Sequence, residues 1–420
     1  MLLLSLAAKS LRNRLLTTIL TVLSIALSVA LLVGVENVRV GMRDSFAGTI
    51  SGTDLIVGAR GGTTQLLLYS VFGIGSPTNN ISWETYRRWS EHPAVEWTIP
   101  YSLGDSHRGF RVIGTDHNFY ERFRYRRDGT IQLRDGRLPD DIFHVVVGSE
   151  VARTLNYAVG DQIVLAHGIG SVTFMEHDNL PFTIVGILDR TSTPVDRAVY
   201  TTLEGIEAIH MDWRQGAPPI PGTEITEEEV RAQEIEIGQI TSFFLGTTAR
   251  VQILRLQRDI STDEEEALMA IIPGVTLAEM WRTIGYAEQG LMIVTAFVLL
   301  VGLLGMLVSL YTSLEARRRE MAIFRAVGAG PGRIVSLLVF ESGLLALAGA
   351  VLGVGLVYGL ILLVQGPVEG RFGLFVPIRP LGTVEMFYLG GVMVAGFVIG
   401  LIPAIKAYRN TLTDGLSLRT

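Results

Sequence analysis

The stretch LLTTILTVLSIALSVALLVGV, residues 15–35, runs 21 positions without a charge. A hydrocarbon core of about 30 Å is crossed by roughly 20 apolar residues in an α-helix, so this segment alone is long enough to span a bilayer. Three others meet the same test: residues 289–314 hold 26 uncharged positions, 342–368 hold 27 and 386–405 hold 20. Between the first and the second lie 253 residues of mixed polarity, the size of a large soluble domain. The chain reads as one helix, a large domain, then three helices.

Basic residues that flank spans are retained on the cytoplasmic side. Lys9, Arg12 and Arg14 precede the first span, Arg317, Arg318, Arg319, Arg325 and Arg333 fill the second connection, and Lys406, Arg409 and Arg419 follow the last span. The other side has Arg39 and Arg43 beyond the first span and Arg371 and Arg379 in the third connection. Both termini are therefore expected in the cytoplasm and residues 36–288 outside it. That outer stretch carries 22 Arg against 35 acidic residues, a net −13, in a chain whose formal charge is −6. A domain so acidic lacks the basic footprint of nucleic-acid binding, and no nucleic-acid partner is expected. The absence of cysteine removes disulfides and thiolate metal or redox chemistry. The first apolar segment is longer than a signal-peptide core and ends in no clear small-residue cleavage pattern, so it is read as a retained helix.

Inside the outer domain, apolar runs alternate with amphipathic ones, as in an α/β module. DLIVGA (54–59) and FRVIG (110–114) read as strands, and residues 83–92, with Trp83, Tyr86 and Trp89 at helical spacing, read as a helix. The runs HVVVGSEVA, DQIVLAHG, PFTIVGILD and AVYTTL, broken by Gly, Asp and Pro, predict a β-rich subdomain over 137–211. Residues 212–244, Pro-rich and then Glu-rich, read as a mobile excursion. RVQILRL (250–256) is expected as a strand returning to the α/β module of 36–136 and 245–276. The spacing Ser261-Thr262-Asp263-Glu264 is that of a capping box and predicts a helix that starts there and stops before Pro273. Residues 277–288 then form a helical stalk into the second span. The charge-free stretch 61–83, centred on Leu66, Leu67, Leu68, Tyr69 and Phe72, reads as a strand or buried loop, or as an apolar lip that touches lipid, substrate or a partner protein. The remaining boundaries are a cytoplasmic N-terminus (1–14), spans at 15–35, 289–314, 334–366 and 385–405, a cytoplasmic coupling segment (315–333), an external loop (367–384) and a cytoplasmic tail (406–420). The fold class is membrane α-helical, with four transmembrane helices and a large extracytoplasmic α/β domain containing a β-rich subdomain.

Catalytic motifs are absent. The two lysines, Lys9 and Lys406, do not follow a glycine, so these residues hold no G-x-x-x-x-G-K-[ST] phosphate loop. No G-x-S-x-G elbow, H-E-x-x-H pair or G-x-G-x-x-G turn occurs either. We expect a non-catalytic membrane subunit with no cofactor of its own. Gly349 and Gly353 make a small-xxx-small face that favours close helix packing. Glu341, the acid nearest a span interior, reads either as part of an ion path or as a structural acid near the cytoplasmic interface. His167, Glu176, His177 and Asp178 have no diagnostic ligand spacing, and no metal site is assigned to them.

The segment Arg317-Arg318-Arg319-Glu320-Met321-Ala322-Ile323-Phe324-Arg325-Ala326-Val327-Gly328-Ala329 resembles the signature of the MacB/FtsX-type ABC permeases, the mechanotransmission (type VII) family that includes lipoprotein-releasing permeases. Lys9-Ser10-Leu11-Arg12-Asn13-Arg14, Phe340-Glu341-Ser342-Gly343 and Gly400-Leu401-Ile402-Pro403-Ala404 with Ala407 and Arg409 are similar to that family, as is the four-span layout. Two departures stand out: Gly330-Pro331-Gly332 intervenes before Arg333, and Leu412 stands where the family often has proline. The resemblance implies the permease subunit of an ABC exporter in the bacterial cytoplasmic (inner) membrane, passing ATP-driven conformational change from a separate cytoplasmic ATPase to an outer domain that handles lipoprotein, lipid, peptide or amphiphilic cargo. The alternative within the family is a non-transporting transmitter that activates an extracytoplasmic enzyme or adaptor. Implied partners are the ABC-type ATPase, which would bind the ATP and Mg, a second permease copy or paralogue in a dimer, a periplasmic adaptor or lipoprotein, and the lipid bilayer. The apolar, arginine-rimmed helix expected at 320–329 suits a groove in that ATPase or a resting place on lipid, and the resemblance favours the ATPase. Glu320, Met321, Ile323, Phe324, Arg325, Val327 and Gly328 are the coupling candidates.

Overall fold

A computed structural model of the chain describes residues 14–168, 175–176, 179–211, 225–316, 330–372 and 378–413. They divide into two compact units, one of residues 1–41, 284–365 and 376–420, the other of residues 42–283 and 366–375.

The second unit is built on one mixed β-sheet. Its main path runs Leu268–Ile271, Leu55–Ala59, Ser242–Thr247, Val95–His107, Phe110–Thr115, Ala198–Thr202, His144–Val147, Phe182–Leu188 and Leu133–Gly136. Strand Val95–His107 ties the halves together, because it is long enough to pair with Ser242–Thr247 along its first part and with Phe110–Thr115 along its last. Its turn into Phe110 uses Arg108 and Gly109, both at positive φ, the pattern of a two-residue hairpin whose twist matches that of the strands. Side chains alternate between faces. Leu55 and Val57 join Phe243 and Leu245 in one cluster, whereas Ile56 and Phe244 enter another with Leu66, Tyr101 and Tyr200. A sheet covered on both faces explains why every residue of Ser242–Thr247 is buried.

The helix expected at 83–92 spans Trp83–Ser90, capped by the Ser82 hydroxyl, which accepts from the Thr85 amide. Strands Leu55–Ala59, Phe110–Thr115, Phe182–Leu188 and Ala198–Thr202 lie where the apolar runs place them. Other expectations need correction. The run HVVVGSEVA supplies strand His144–Val147 and then helix Ser149–Leu155. The residues of 137–211 do not close a sheet of their own, since Ala198–Thr202 pairs in parallel with Phe110–Thr115. The stretch around Leu66 is neither strand, loop nor lip but helix Thr63–Val71, whose Leu66, Leu67 and Tyr69 pack inward.

RVQILRL is not a strand. It forms a short turn and the start of helix Ile253–Ser261, which buries Leu256 and Ile260 and leaves Val251 and Leu254 exposed. Ser261 ends that helix rather than capping the next one. The Asp263 carboxylate accepts from the Glu265 and Glu266 amides and from Trp89 Nε1, and this turn leads into strand Leu268–Ile271, where a helix was expected. Pro273 opens helix Pro273–Ala316 instead of stopping one, a position where its missing amide costs nothing. Residues 212–224 lie outside the described ones, but the rest of the expected excursion is ordered. Helix Glu227–Arg231 carries a capping box between Thr226 and Glu229 and buries Val230, and Ser242–Thr247 is central in the sheet.

The first unit contains the apolar parts of four long helices, Leu15–Ala47, Pro273–Ala316, Pro331–Phe372 and Thr383–Thr413. Each is long and apolar enough to cross a membrane. Their lipid-type faces expose Leu16, Leu27, Phe297, Val301, Leu363 and Phe387, while Ile25, Val29, Val33, Met306, Leu345 and Val357 close the interior. The third helix continues to Phe372, so the connection to the fourth is shorter than the expected 367–384.

Candidate functional site: the helix contacts of the membrane unit

Small residues bring these helices together. A Cβ added to Gly349 would sit 2.5 Å from Ile25 Cγ2, and one on Gly353 would sit 2.7 Å from the Ala26 carbonyl oxygen and 2.8 Å from Val29 Cβ. The two predicted packing glycines therefore face one stripe of the first helix. Between the first and second helices, a Cβ on Gly302 would meet the Ser28 hydroxyl at 2.6 Å. Ser28 Oγ lies 3.2 Å from the Val298 carbonyl, and Thr21 Oγ1 lies 3.0 Å from Ser309 Oγ. Between the third and fourth, a Cβ on Gly396 would fall 2.6 Å from Ala346 Cβ. With no hydrophobic drive between helices in lipid, such close approaches and interhelical hydrogen bonds supply the association.

Glu341 is 3% exposed beside the fully buried Ser342, ten residues into Pro331–Phe372. It belongs to the packed interior rather than to a lipid face. The coupling candidates Glu320, Met321, Ile323, Phe324, Arg325, Val327 and Gly328 lie outside the described residues. No group of three or more His, Cys, Asp or Glu side chains that would hold a metal occurs among the described residues. His177 and Asp178 fall outside them, while the backbones of His167 and Glu176 lie in adjacent strands.

Sequence reasoning missed a set of ion pairs in this unit. Glu36 is 3% exposed and receives two hydrogen bonds from Arg39, at 2.9 and 2.6 Å, while Arg39 also reaches Glu288 at 3.9 Å. Glu385, 1% exposed, pairs with Arg379, whose carbonyl accepts from the Tyr358 hydroxyl at 2.8 Å. The only signal for these in the sequence is the i,i+3 spacing of Glu36 and Arg39 just beyond a charge-free run.

Two family models match the chain: MacB-like periplasmic core domain over residues 18–219 and FtsX-like permease C-terminal over residues 292–412. A macrolide export ATP-binding/permease protein MacB from Photorhabdus laumondii is 32% identical over 170 residues, covering 40% of this chain and 24% of that protein. A protein of the same name from Hyphomonas neptunium is 29% identical over 116 residues, covering 28% of this chain and 17% of that protein. The chain thus spans about a quarter or less of the length of these relatives. The crystal structure of the periplasmic region of MacB from Actinobacillus actinomycetemcomitans covers 56% of this chain and 94% of its own at 11% identity, with a TM-score of 0.33. Because the two models together take in the first helix, most of the α/β unit and the last three helices, the chain belongs to the MacB/FtsX-type family of ABC transporter permeases.

Proposed function

We propose that the chain is the permease subunit of an ABC exporter of the bacterial inner membrane. ATP binding in a separate cytoplasmic ATPase shifts its membrane helices, and these pass the movement to the extracytoplasmic domain, which handles lipoprotein, lipid, peptide or amphiphilic cargo. The observation that carries this reading is helix continuity. Leu15–Ala47 and Pro273–Ala316 are unbroken α-helices of 33 and 44 residues. At 1.5 Å per residue they are about 50 and 66 Å long, against a hydrocarbon core of about 30 Å. An uninterrupted hydrogen-bond ladder makes each a stiff rod. The spans offer no chain of ionisable groups for a proton relay, which favours cargo handled outside the bilayer. The permease works as a dimer, with the segment 315–333 seated on the ATPase through Met321, Ile323, Phe324 and Val327.

Breaking one rod tests this. Tyr286 is 72% exposed on the second helix. Proline there removes a ladder hydrogen bond and clashes with the preceding turn, at a cost of about 3 kcal/mol or more. Since the chain has no cysteine, Val251→Cys gives a single site for a fluorescent dye on the outer domain. In the complex with its ATPase, Mg and ATP should change the dye signal. Tyr286→Pro should abolish that change while ATP hydrolysis persists, and Tyr286→Ala should retain it. A dye blind to ATP in the unbroken protein, or equally responsive after the proline, refutes the proposal.

A further inference from the structure

A cavity of about 230 Å³ opens within the α/β domain, between helix Thr63–Val71, strands Val95–His107 and Phe110–Thr115, and the segment around Val195. That is room for a small organic molecule. Its walls are aromatic: Phe72, Tyr101, Phe123 and Tyr200 line it. They are held from behind, Tyr200 stacked on Phe119 at 4.6 Å and Tyr101 set edge-on to Phe244 at 4.6 Å. The lining is therefore a preformed slot suited to a flat apolar body.

Two arginines also line it. Arg197 sits with its guanidinium 5.2 Å from the centre of the Phe110 ring. Arg111 donates to the Gly75 carbonyl, which the loop presents after turning at Gly73 and Gly75, both at positive φ. No carboxylate among the described residues pairs with Arg111, and burial pushes its pKa below the ordinary arginine value. This half-buried guanidinium has donors to spare beyond the Gly75 carbonyl, and its planar fork matches a carboxylate. Two phenols add polarity to the lining: Tyr101 and Tyr200, the latter donating its hydroxyl to the Val195 carbonyl at 3.3 Å. Burial raises the pKa of both, so they stay protonated.

We propose that this cavity is a binding site for a small aromatic carboxylate, with the carboxylate on Arg111 and the ring between Tyr101, Phe123 and Tyr200. The site is independent of the transport reading, since it lies wholly within the α/β domain and needs neither ATPase nor cargo. The probe is phenylacetate, titrated calorimetrically into the full chain in detergent micelles. Phenylacetate should bind saturably, at least tenfold tighter than its neutral amide phenylacetamide and tighter than octanoate, and Arg111→Gln should weaken it at least tenfold. The comparison with the amide needs no variant, so it decides the matter even if Arg111→Gln fails to fold. Absence of saturable phenylacetate binding, equal affinity for the amide, preference for octanoate, or competition by inorganic phosphate alone would each overturn the assignment.

Discussion

Replacing Gly353 by alanine sets two opposed effects against each other, and the sign of the result reports on the membrane packing. Inside an exposed helix alanine is about 1 kcal/mol more favourable than glycine. The structure denies Gly353 that gain, because the new Cβ would lie 2.7 Å from the Ala26 carbonyl oxygen and 2.8 and 2.9 Å from Val29 Cβ and Cγ1. The nearest atom is backbone, so no rotamer change relieves it and the first and third helices must separate. Overpacking of this kind costs about 1–3 kcal/mol, leaving Gly353→Ala destabilised by about 0–2 kcal/mol net. Gly355, two residues on, has nothing within 4 Å of such a Cβ, and there the same change should stabilise by up to about 1 kcal/mol. The pair is compared by denaturant titration of the purified chain in mixed micelles, where the two variants should differ by about 1–3 kcal/mol. Val29→Ala in the Gly353→Ala background removes only the Cγ1 contact and leaves the Ala26 oxygen and the Val29 Cβ in place, so it should restore no more than a small part of the loss. If Gly353→Ala is as stable as Gly355→Ala, the glycine face does not meet the first helix and the contact is wrong.

Burial pushes the Asp116 carboxyl up to about 6 despite the amide bonds of Asn118 and Phe119. The folded state then holds a proton that the unfolded chain has released, so outer-domain stability should fall by about 2–3 kcal/mol as pH rises from 4 to 6 and stay low above that. Asp116→Asn, which keeps a helix-capping side chain, should flatten the profile in thermal melts; an unchanged slope counts against the burial argument. Burial pulls the His210 imidazole down, but the buried Asp105 carboxylate at 3.4 Å outweighs it and the pKa is raised. That contribution is fully present below about pH 6.5 and lost as pH climbs through the folded pKa, so the wild type should lose stability above pH 6.5 relative to His210→Gln, and parallel curves would dismiss the pair. If segment 315–333 docks on the ATPase as proposed, Phe324→Asp would place an unpaired carboxylate in that contact, at a cost of several kcal/mol, each 1.4 kcal/mol being tenfold in affinity. The variant should lose co-purification with the ATPase while the outer domain keeps its protease resistance, and retention at wild-type stoichiometry would remove the segment as the coupling element.

Sequence alone determined the four long helices, because a charge-free run of 20 or more residues has one stable outcome in lipid, where every backbone group must be satisfied within the segment. It also located strands such as Leu55–Ala59 and Phe182–Leu188, whose apolar β-branched runs have a short span and clear turn signals at each end. Short apolar runs were ambiguous. RVQILRL reads as a strand over its own seven residues, but in a window that reaches Ile260, Ile253, Leu256 and Ile260 fall on one helical face. LLLYSV reads as a strand, a buried loop or an exposed apolar lip, and it is a helix packed into the core of the α/β unit. The capping-box letters at Ser261 describe a spacing and not a direction, so the same residues close one helix and turn the chain into an edge strand. For the site, the sequence marked Gly349 and Gly353 as small, but not what they approach; that depends on Ile25, Ala26 and Val29, more than 300 residues earlier in the chain. The burial of Glu36 and Glu385, the reach of Arg39 to Glu288 and the aromatic cavity around Arg111 are likewise decisions of tertiary structure, since burial and enclosure are relations between distant segments that no local pattern encodes.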